Sequence, residues 1–263
     1  MSSHKPVKKN EIRKKNITKI VYEKGFASID VLSKELGVTA QTIRRDIHEL
    51  CKEGLLRRYH GGAGLASSTD NIGYKNRQGI HHPEKRAIGR RIAESIPNDV
   101  SLFINIGTTT EEISRALLKH KNLKIITNNL NVANILSQNE SFEVIIAGGR
   151  VRHRDQGITG EATIDLIQQF KVDYGIIGVS AIDEDGSLMD FDYHEVRVTQ
   201  AIINNSRQTY LAADSSKYGR NAMVILGHIS QIDTWFTDNV PTPSIAETLK
   251  GTNTKVVSCQ QLT

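Results

Sequence analysis

The stretch Thr39-Ala-Gln-Thr-Ile-Arg-Arg-Asp-Ile-His-Glu-Leu50, preceded by Ser28-Ile-Asp-Val-Leu-Ser-Lys-Glu-Leu-Gly37, reads as two short amphipathic helices joined at a glycine. In the second, Ile43, Ile47 and Leu50 recur at i, i+4, i+7 and form one apolar stripe, so Gln41, Arg45 and His48 project from the opposite face. Gly37 follows the last periodic residue of the first helix, where a left-handed C-terminal position favours Gly, and Thr39 stands where the second helix needs an N-cap. This is a helix-turn-helix pattern, and its outward side chains carry the chemistry of a major-groove reader. Gln pairs bidentately with adenine N6/N7 and Arg with guanine O6/N7. Thr39, Thr42 and Arg44 lie at the start or flank of the helix, where phosphate oxygens are reached, and Ser28 joins the DNA-facing set at the head of the first helix.

Charge is distributed to match. Residues 1–62 hold 14 Lys and Arg against 7 Asp and Glu, while the whole chain of 263 residues holds 34 against 29. The excess of +7 therefore lies in the first quarter and the remainder sums to −2. A basic module on a near-neutral body is the electrostatic footprint of phosphate contact, with affinity that falls as salt rises. After the helix pair comes Glu53-Gly-Leu-Leu-Arg-Arg-Tyr-His-Gly-Gly-Ala63, a short apolar run, paired basics and a Gly-Gly turn. It reads as a β-hairpin wing that sets Arg57, Arg58 and His60 along the backbone or in a minor groove, the glycines supplying the positive φ of a tight turn. With a helix over about 10–24, residues 10–64 are expected to form a winged helix-turn-helix.

Residues 65–82 are polar and Gly-rich without clear periodicity and read as an interdomain linker. A second domain over 83–263 starts with Pro83 in the first turn of a helix running to about Ser95. From there β-branched runs alternate with helical patterns. The runs are Val100–Ile104, Leu123–Ile126, Phe142–Ala147, Val172–Val179 and Gln208–Ala213, with helices near 110–119, 131–138, 162–170 and 194–205. That alternation predicts a mostly parallel α/β sheet with right-handed crossovers.

The runs end in Gly107-Thr-Thr-Thr110, Thr127-Asn-Asn129, Gly148-Gly149, Ser180-Ala-Ile-Asp183 and Asp214-Ser-Ser-Lys-Tyr-Gly219. In an open parallel sheet ligands bind outside the carboxyl ends of the strands, so these loops converge on one crevice. Gly107 permits close backbone approach, and Thr108, Thr109 and Thr110 offer hydroxyls and amides at a helix N-terminus, a combination that holds phosphate. Lys217 brings a compensating point charge, and Asn128 and Asn129 stand either as turn residues or as partners for hydroxyls.

Thr42-Ile-Arg-Arg-Asp46, Arg58-Tyr-His-Gly-Gly-Ala63, Ile106-Gly-Thr-Thr109, Ile126-Thr-Asn-Asn129, Ala147-Gly-Gly149, Gly160-Glu161 and Asp214-Ser-Ser-Lys-Tyr-Gly219 occur in this order along almost the whole chain. Together they resemble the DeoR-type family of bacterial repressors that respond to sugar phosphates. Asn128-Asn-Leu-Asn-Val-Ala-Asn134, Gly157-Ile-Thr-Gly-Glu-Ala-Thr163, Asp190-Phe-Asp-Tyr-His-Glu-Val-Arg197 and Gly219-Arg-Asn-Ala-Met-Val224 look most like the branch that governs glycerol 3-phosphate metabolism. The resemblance implies a winged helix-turn-helix reader of double-stranded operator DNA and a sensor domain similar to ribose 5-phosphate isomerases. It also implies glycerol 3-phosphate or a similar phosphate ester as inducer, with no cofactor, and the phosphate role carries to Gly107, Thr108, Thr109 and Lys217. Many members place Asp before the Gly-Thr-Thr loop where this chain has Asn105, and its first nine residues extend the usual start; neither is assigned a role.

The mechanism expected is ligand-gated repression by a homodimer or homotetramer, since such readers usually meet two half-sites as symmetric assemblies. Repression of another sugar-phosphate system is the nearer alternative. An aldose–ketose isomerase is a more distant one, with Asp183, Asp214 and Glu195 as available carboxylates, yet nothing in their spacing marks a catalytic base. A protein-interaction module in place of the sensor is the third. Cys51 and Cys259 are too few and too far apart for a disulfide framework or a metal site, consistent with a reducing cytoplasm. No signal peptide or long apolar span points to export or to a membrane.

Overall fold

The structure, a computed structural model, describes residues 9–24, 26–59, 62–64, 74–79, 81–220 and 222–259. Of the residues expected to face DNA, His60 lies outside the described residues. The chain divides into two compact units, Met1–Asn76 and Arg77–Thr263.

In the first unit the elements are α1 (Lys9–Lys24), β1 (Phe26–Ser28), α2 (Ile29–Leu36), α3 (Ala40–Lys52), β2 (Arg57–Tyr59) and β3 (Gly62–Gly64). Their apolar stripes meet in a small core in which Ile17, Val21, Leu32, Ile43, Ile47 and Leu50 are buried. The turn of the helix pair forms as the residues dictate. Gly37 sits in the left-handed region at φ 63° and ψ 33°, donating its N–H to the Ser33 carbonyl, and the Thr39 hydroxyl accepts the Thr42 N–H at 3.3 Å. Asp46 is the one charged residue on the buried face of α3. It is buried and accepts both arms of the Arg13 guanidinium from α1, Nη2 to Oδ1 at 3.1 Å, so it clamps the two helices together. Asp46→Ala leaves Arg13 without its acceptor beside a small core, and an expected loss of about 1–3 kcal/mol is checked by chemical denaturation of the full chain.

The hairpin forms, but inside a three-stranded sheet ordered β1-β3-β2, because Phe26–Ser28 adds antiparallel to β3. Gly62 is consequently not a turn residue as read from the sequence. It pairs with Tyr59 in the ladder and is buried with Ala63 and Gly64, so this central strand is packed where only small residues stand.

α4 (Tyr74–Gly79) spans the boundary between the units, a helix inside the segment read as linker, where only Tyr74 gives an apolar signal. There follow α5 (His82–Ser95), β4 (Ser101–Ile104), α6 (Thr108–Leu117), β5 (Lys124–Thr127), α7 (Leu130–Leu136), β6 (Glu143–Ile146), β7 (Arg150–Val151) and β8 (Ile158–Thr159). Next are α8 (Glu161–Gln168), β9 (Val172–Ile177), β10 (Ala181–Ile182), β11 (Ser187–Asp190), α9 (Tyr193–Asn204), β12 (Ser206–Ala212), β13 (Val224–His228), β14 (Thr234–Thr237), α10 (Pro243–Lys250) and β15 (Lys255–Ser258). Seven strands form one parallel sheet, ordered β15-β14-β12-β9-β4-β5-β6. The alternation of β4 shows how both faces are covered. Leu102 and Ile104 pack with Ile88, Ile92, Ile113 and Leu117 of α5 and α6, while Phe103 packs with Ile164, Ile167 and Val196 of α8 and α9. The β14 and β15 strands were not anticipated; each has four residues at the edge side of the sheet.

From β4 the chain winds outward through β5 and β6, and from the adjacent β9 it winds the other way through β12, β14 and β15. The reversal between β4 and β9 is the switch point at which the loops beyond the strands part and leave a crevice.

Candidate functional site

On the reader, Gln41, Arg44, Arg45 and His48 are exposed while Ile43, Ile47 and Leu50 of the same helix are buried. The Arg45 side chain is 83% exposed and lies 3.6 Å from Glu49 one turn on. Thr39, Gln41, Thr42 and Arg45 line one cleft of about 480 Å³ together with Asn10 and Arg13 of α1. Arg57 and Arg58 are exposed on β2. The hydroxyl of Ser28 serves the fold, accepting the Val31 N–H at 3.2 Å as the N-cap of α2, and the Thr42 hydroxyl lies 3.0 Å from that of Thr39.

In the second unit, Asn105 fastens the switch point. Its amide donates to the Gly178 carbonyl at 3.1 Å and accepts the Gly178 N–H at 3.0 Å, joining the loops after β4 and β9 in a two-bond clasp. An aspartate could take only the second of these bonds, which gives Asn at this position a physical reason. Beyond it, Gly107 opens α6, whose first-turn amides have no intrahelical acceptor and point along the positive end of the helix dipole. The three threonines part company there. Thr110 is wholly buried and donates to the carbonyls of Asn105 at 2.9 Å and Gly107 at 2.8 Å, so its hydroxyl tightens the loop. Thr109 is buried, and Thr108 borders a groove of about 560 Å³ with Gln78, His82, Arg86 and Glu111.

The asparagines do two things each. Asn129 caps α7, its Oδ1 accepting the N–H of Asn131 at 2.9 Å, and Asn128 donates to the Ile158 carbonyl at 3.0 Å. Their other atoms, Asn129 Nδ2 and Asn128 Oδ1, are buried without a partner among the described residues, as is Asp214 Oδ2. Buried polar atoms are rarely left so, and three of them at the ends of parallel strands mark a place built to receive polar groups. The Gly148-Gly149 loop serves packing instead: Gly149 has φ 149°, and a Cβ there would meet Thr163 Oγ1 at 2.3 Å.

Lys217 lies after β12 with Asp214. Burial pushes its ammonium down to about 7, Asp214 draws it back up, and the positive charges of Arg220, Lys85 and Arg77 oppose it again. Lys85 is buried on the apolar side of α5 and donates to the Arg77 carbonyl; burial lowers it to about 8. Arg220 donates to the Ser180 carbonyl at 3.3 Å. A second group surrounds Arg152, which binds Asp155 at 2.7 Å, Asp192 at 2.9 Å and Glu195 at 2.7 Å. Burial, then the charge of Asp190, raises Glu195 to about 7.

Sequence reasoning singled out Lys217 but not Arg77, Lys85 or Arg220, whose charges act on it, nor Arg152. One signal was available for Lys85, which shares a helix stripe with Ile88 and Ile92, where a lysine has no business unless its amine is used. Arg77 was hidden by the polar composition of α4, and Arg152 and Arg220 stand in loops with no periodicity. Chemically, a cation-lined crevice with unpartnered amide and carboxylate atoms suits a small anion that also carries hydroxyls. Glu195 is held by Arg152 rather than poised over a reacting atom, and among the described residues no group of His, Cys, Asp and Glu is placed to hold a metal ion. Among the same residues no helix is long and apolar enough to cross a membrane, and Cys51 and Cys259 are free.

Residues 13–69 match the DeoR-like helix-turn-helix domain and residues 80–239 the DeoR C terminal sensor domain. The chain is 49% identical to the glycerol-3-phosphate regulon repressor of Escherichia coli (strain K12), over 94% of this chain and 98% of that protein. It is 49% identical to the repressor of the same description from Haemophilus influenzae, over 95% and 98%, and 40% identical to the HTH-type transcriptional repressor CsqR of E. coli, over 92% and 93%. Among solved structures, a ribose 5-phosphate isomerase A from Neisseria gonorrhoeae overlaps 51% of this chain and 52% of its own, with a TM-score of 0.38 and 15% identity.

Proposed function

The chain belongs to the DeoR family of helix-turn-helix transcriptional repressors, and from that premise we propose that it represses genes of glycerol 3-phosphate metabolism and leaves its operator when glycerol 3-phosphate fills the crevice. The observation that carries this reading is the reach of the likeness: 49% identity extends over 98% of the E. coli repressor, so it spans both the reader and the sensor domain. The crevice suits the ligand. A phosphate takes the cations about Lys217 and the first-turn amides of α6, and two hydroxyls have Asp214 Oδ2, Asn128 Oδ1 and Asn129 Nδ2 as partners. Two readers of a homodimer or homotetramer meet two half-sites, and the ligand weakens DNA binding by its differential affinity for the two arrangements and no more.

Fluorescence anisotropy with a duplex carrying an operator of glycerol 3-phosphate genes tests the reading. Saturating glycerol 3-phosphate is expected to weaken DNA binding about 5–150-fold, with glucose 6-phosphate, ribose 5-phosphate and inorganic phosphate much less effective. Release by one of the sugar phosphates instead would move the protein to another regulon, and release by none would sink the proposal.

A further inference from the structure

The guanidinium of Arg45 has a neighbour that faces two ways. Glu49, one turn further along α3, offers Oε1 to Arg45 Nε at 3.6 Å, while its Oε2 takes the ammonium of Lys14, on α1, at 2.6 Å. Lys14 is half-buried one turn before the core residue Ile17, and Glu53 at the end of α3 holds it from a second side at 3.2 Å. Glu49 and Arg45 both line the cleft that Gln41 and Thr42 share. A clamp between helices does not account for this carboxylate. Glu53 ties Lys14 to α3 without it, and the pair of Arg13 and Asp46 ties α1 to α3 again. On a helix that faces a polyanion a carboxylate repels phosphate, so one set against an exposed arginine calls for another reason.

We propose that Glu49 is the positioning residue of the base reader: anchored by Lys14, it holds Arg45 through Nε and leaves Nη1 and Nη2 to meet O6 and N7 of a guanine. The proposal rests on Arg45 as the residue that reads a base and adds what aims it. A long, mobile side chain loses rotamer freedom when it docks, and a carboxylate that limits it beforehand lowers that cost. In the free protein the pair is exposed and weak; between helix and groove, with water displaced, it strengthens. Lys14 matters because a glutamate free to turn would aim nothing. The 2.6 Å pair is the shorter of the two, so it fixes Oε2 and thereby sets where Oε1 stands. The same charge works against wrong sequences. Where no guanine lies opposite, Arg45 turns to phosphate, and Glu49 both competes for the guanidinium and repels the phosphate.

Competition titrations of the full chain test this, with a preferred duplex selected from a random pool and a scrambled duplex of equal length. Glu49→Gln is expected to bind the scrambled duplex about 2–5-fold more tightly, since a repelling charge is gone, and to lower the preference for the selected duplex about 3–10-fold. A carboxylate with a merely structural role would not produce these opposite shifts. In an Arg45→Ala background the loss of preference on adding Glu49→Gln is expected to vanish, because no guanidinium is left to aim. Glu53→Gln removes the same charge from the other partner of Lys14 and is expected to leave preference unchanged. Glu49→Asp keeps the charge but is a methylene too short to reach Lys14 and Arg45 together. It is expected to lose preference without gaining affinity for the scrambled duplex, and it decides the matter if Glu49→Gln shows no cooperative melting. Undiminished preference in Glu49→Gln, an equal loss in Glu53→Gln, or a loss that persists in the Arg45→Ala background would overturn the inference. Preference retained by Arg45→Ala itself would instead remove the base reader, so the two failures are told apart in one set of titrations.

Discussion

Replacing Arg45 with Ala is expected to cost about 1–3 kcal/mol of operator binding, about 5–150-fold, and to leave binding to a scrambled duplex of the same length nearly unchanged. The reason lies in how α3 is built. Ile43, Ile47 and Leu50 are fixed in the core, so the helix cannot rotate to offer another side chain in place of Arg45. With its side chain 83% exposed and Glu49 at 3.6 Å, the guanidinium gives up at most a weak, screened ion pair on turning to a guanine edge, whose bidentate bonds replace those to water. Arg45→Lys keeps the charge but loses the planar fork, so it should not restore the selectivity that Arg45→Ala loses. Arg57→Ala and Arg58→Ala on β2 provide the contrast: each is expected to weaken all duplexes alike and to reduce the salt dependence. Competition titrations at two salt concentrations distinguish the classes, and undiminished operator preference in Arg45→Ala would remove it as a base reader.

What was legible in the sequence follows from which interactions are local. The helix-turn-helix was readable because its signals are periodic or sit at fixed offsets: an apolar stripe, a glycine with φ 63° and a threonine cap two residues later. The parallel strands near the switch point were readable because burial on both faces demands continuous β-branched runs. By contrast β1 exists only because β3 pairs with it, and β14 and β15 are short strands added to an existing sheet, so neither announces itself locally. The site was half legible for the same reason. Loops that follow strands can be placed by topology, which put the Gly107 loop after β4 and Lys217 after β12, where they lie. Which side chains face the crevice depends on long-range packing, and that turned Thr110 inward to the Asn105 carbonyl while bringing Arg77 and Lys85 in from helices. Asn105, the departure from the family pattern, became interpretable only with Gly178 beside it.

Substituting Met for Lys217 is expected to weaken glycerol 3-phosphate binding about 10–100-fold, the value of a charge-assisted bond at about 1.5–3 kcal/mol, and to yield a repressor that inducer no longer displaces at cellular concentrations. The pH dependence identifies the cause. Burial lowers the Lys217 ammonium to about 7, so before a ligand binds it is charged below that pH and increasingly neutral above it. Binding a phosphate then takes up a proton, and wild-type affinity should decline as pH rises from 7 to 9, with Lys85, lowered to about 8, extending the decline. The second ionisation of the ligand near pH 6 is complete over that range and cannot produce the trend. In Lys217→Met the profile should flatten, leaving the contribution of Lys85. Stability should move the opposite way. A lysine whose folded value lies below its ordinary one, about 10.4, costs the folded state an amount that is absent at high pH and grows as pH falls from about 10 to about 7. Lys217→Met removes that cost. Since the side chain is only half-buried, the gain near neutrality is about 1–2 kcal/mol, or about 3–6 °C in Tm. A variant that binds more weakly, loses the pH trend and melts higher has lost a ligand-holding charge rather than its fold; one that retains wild-type affinity at every pH shows that the phosphate lies elsewhere.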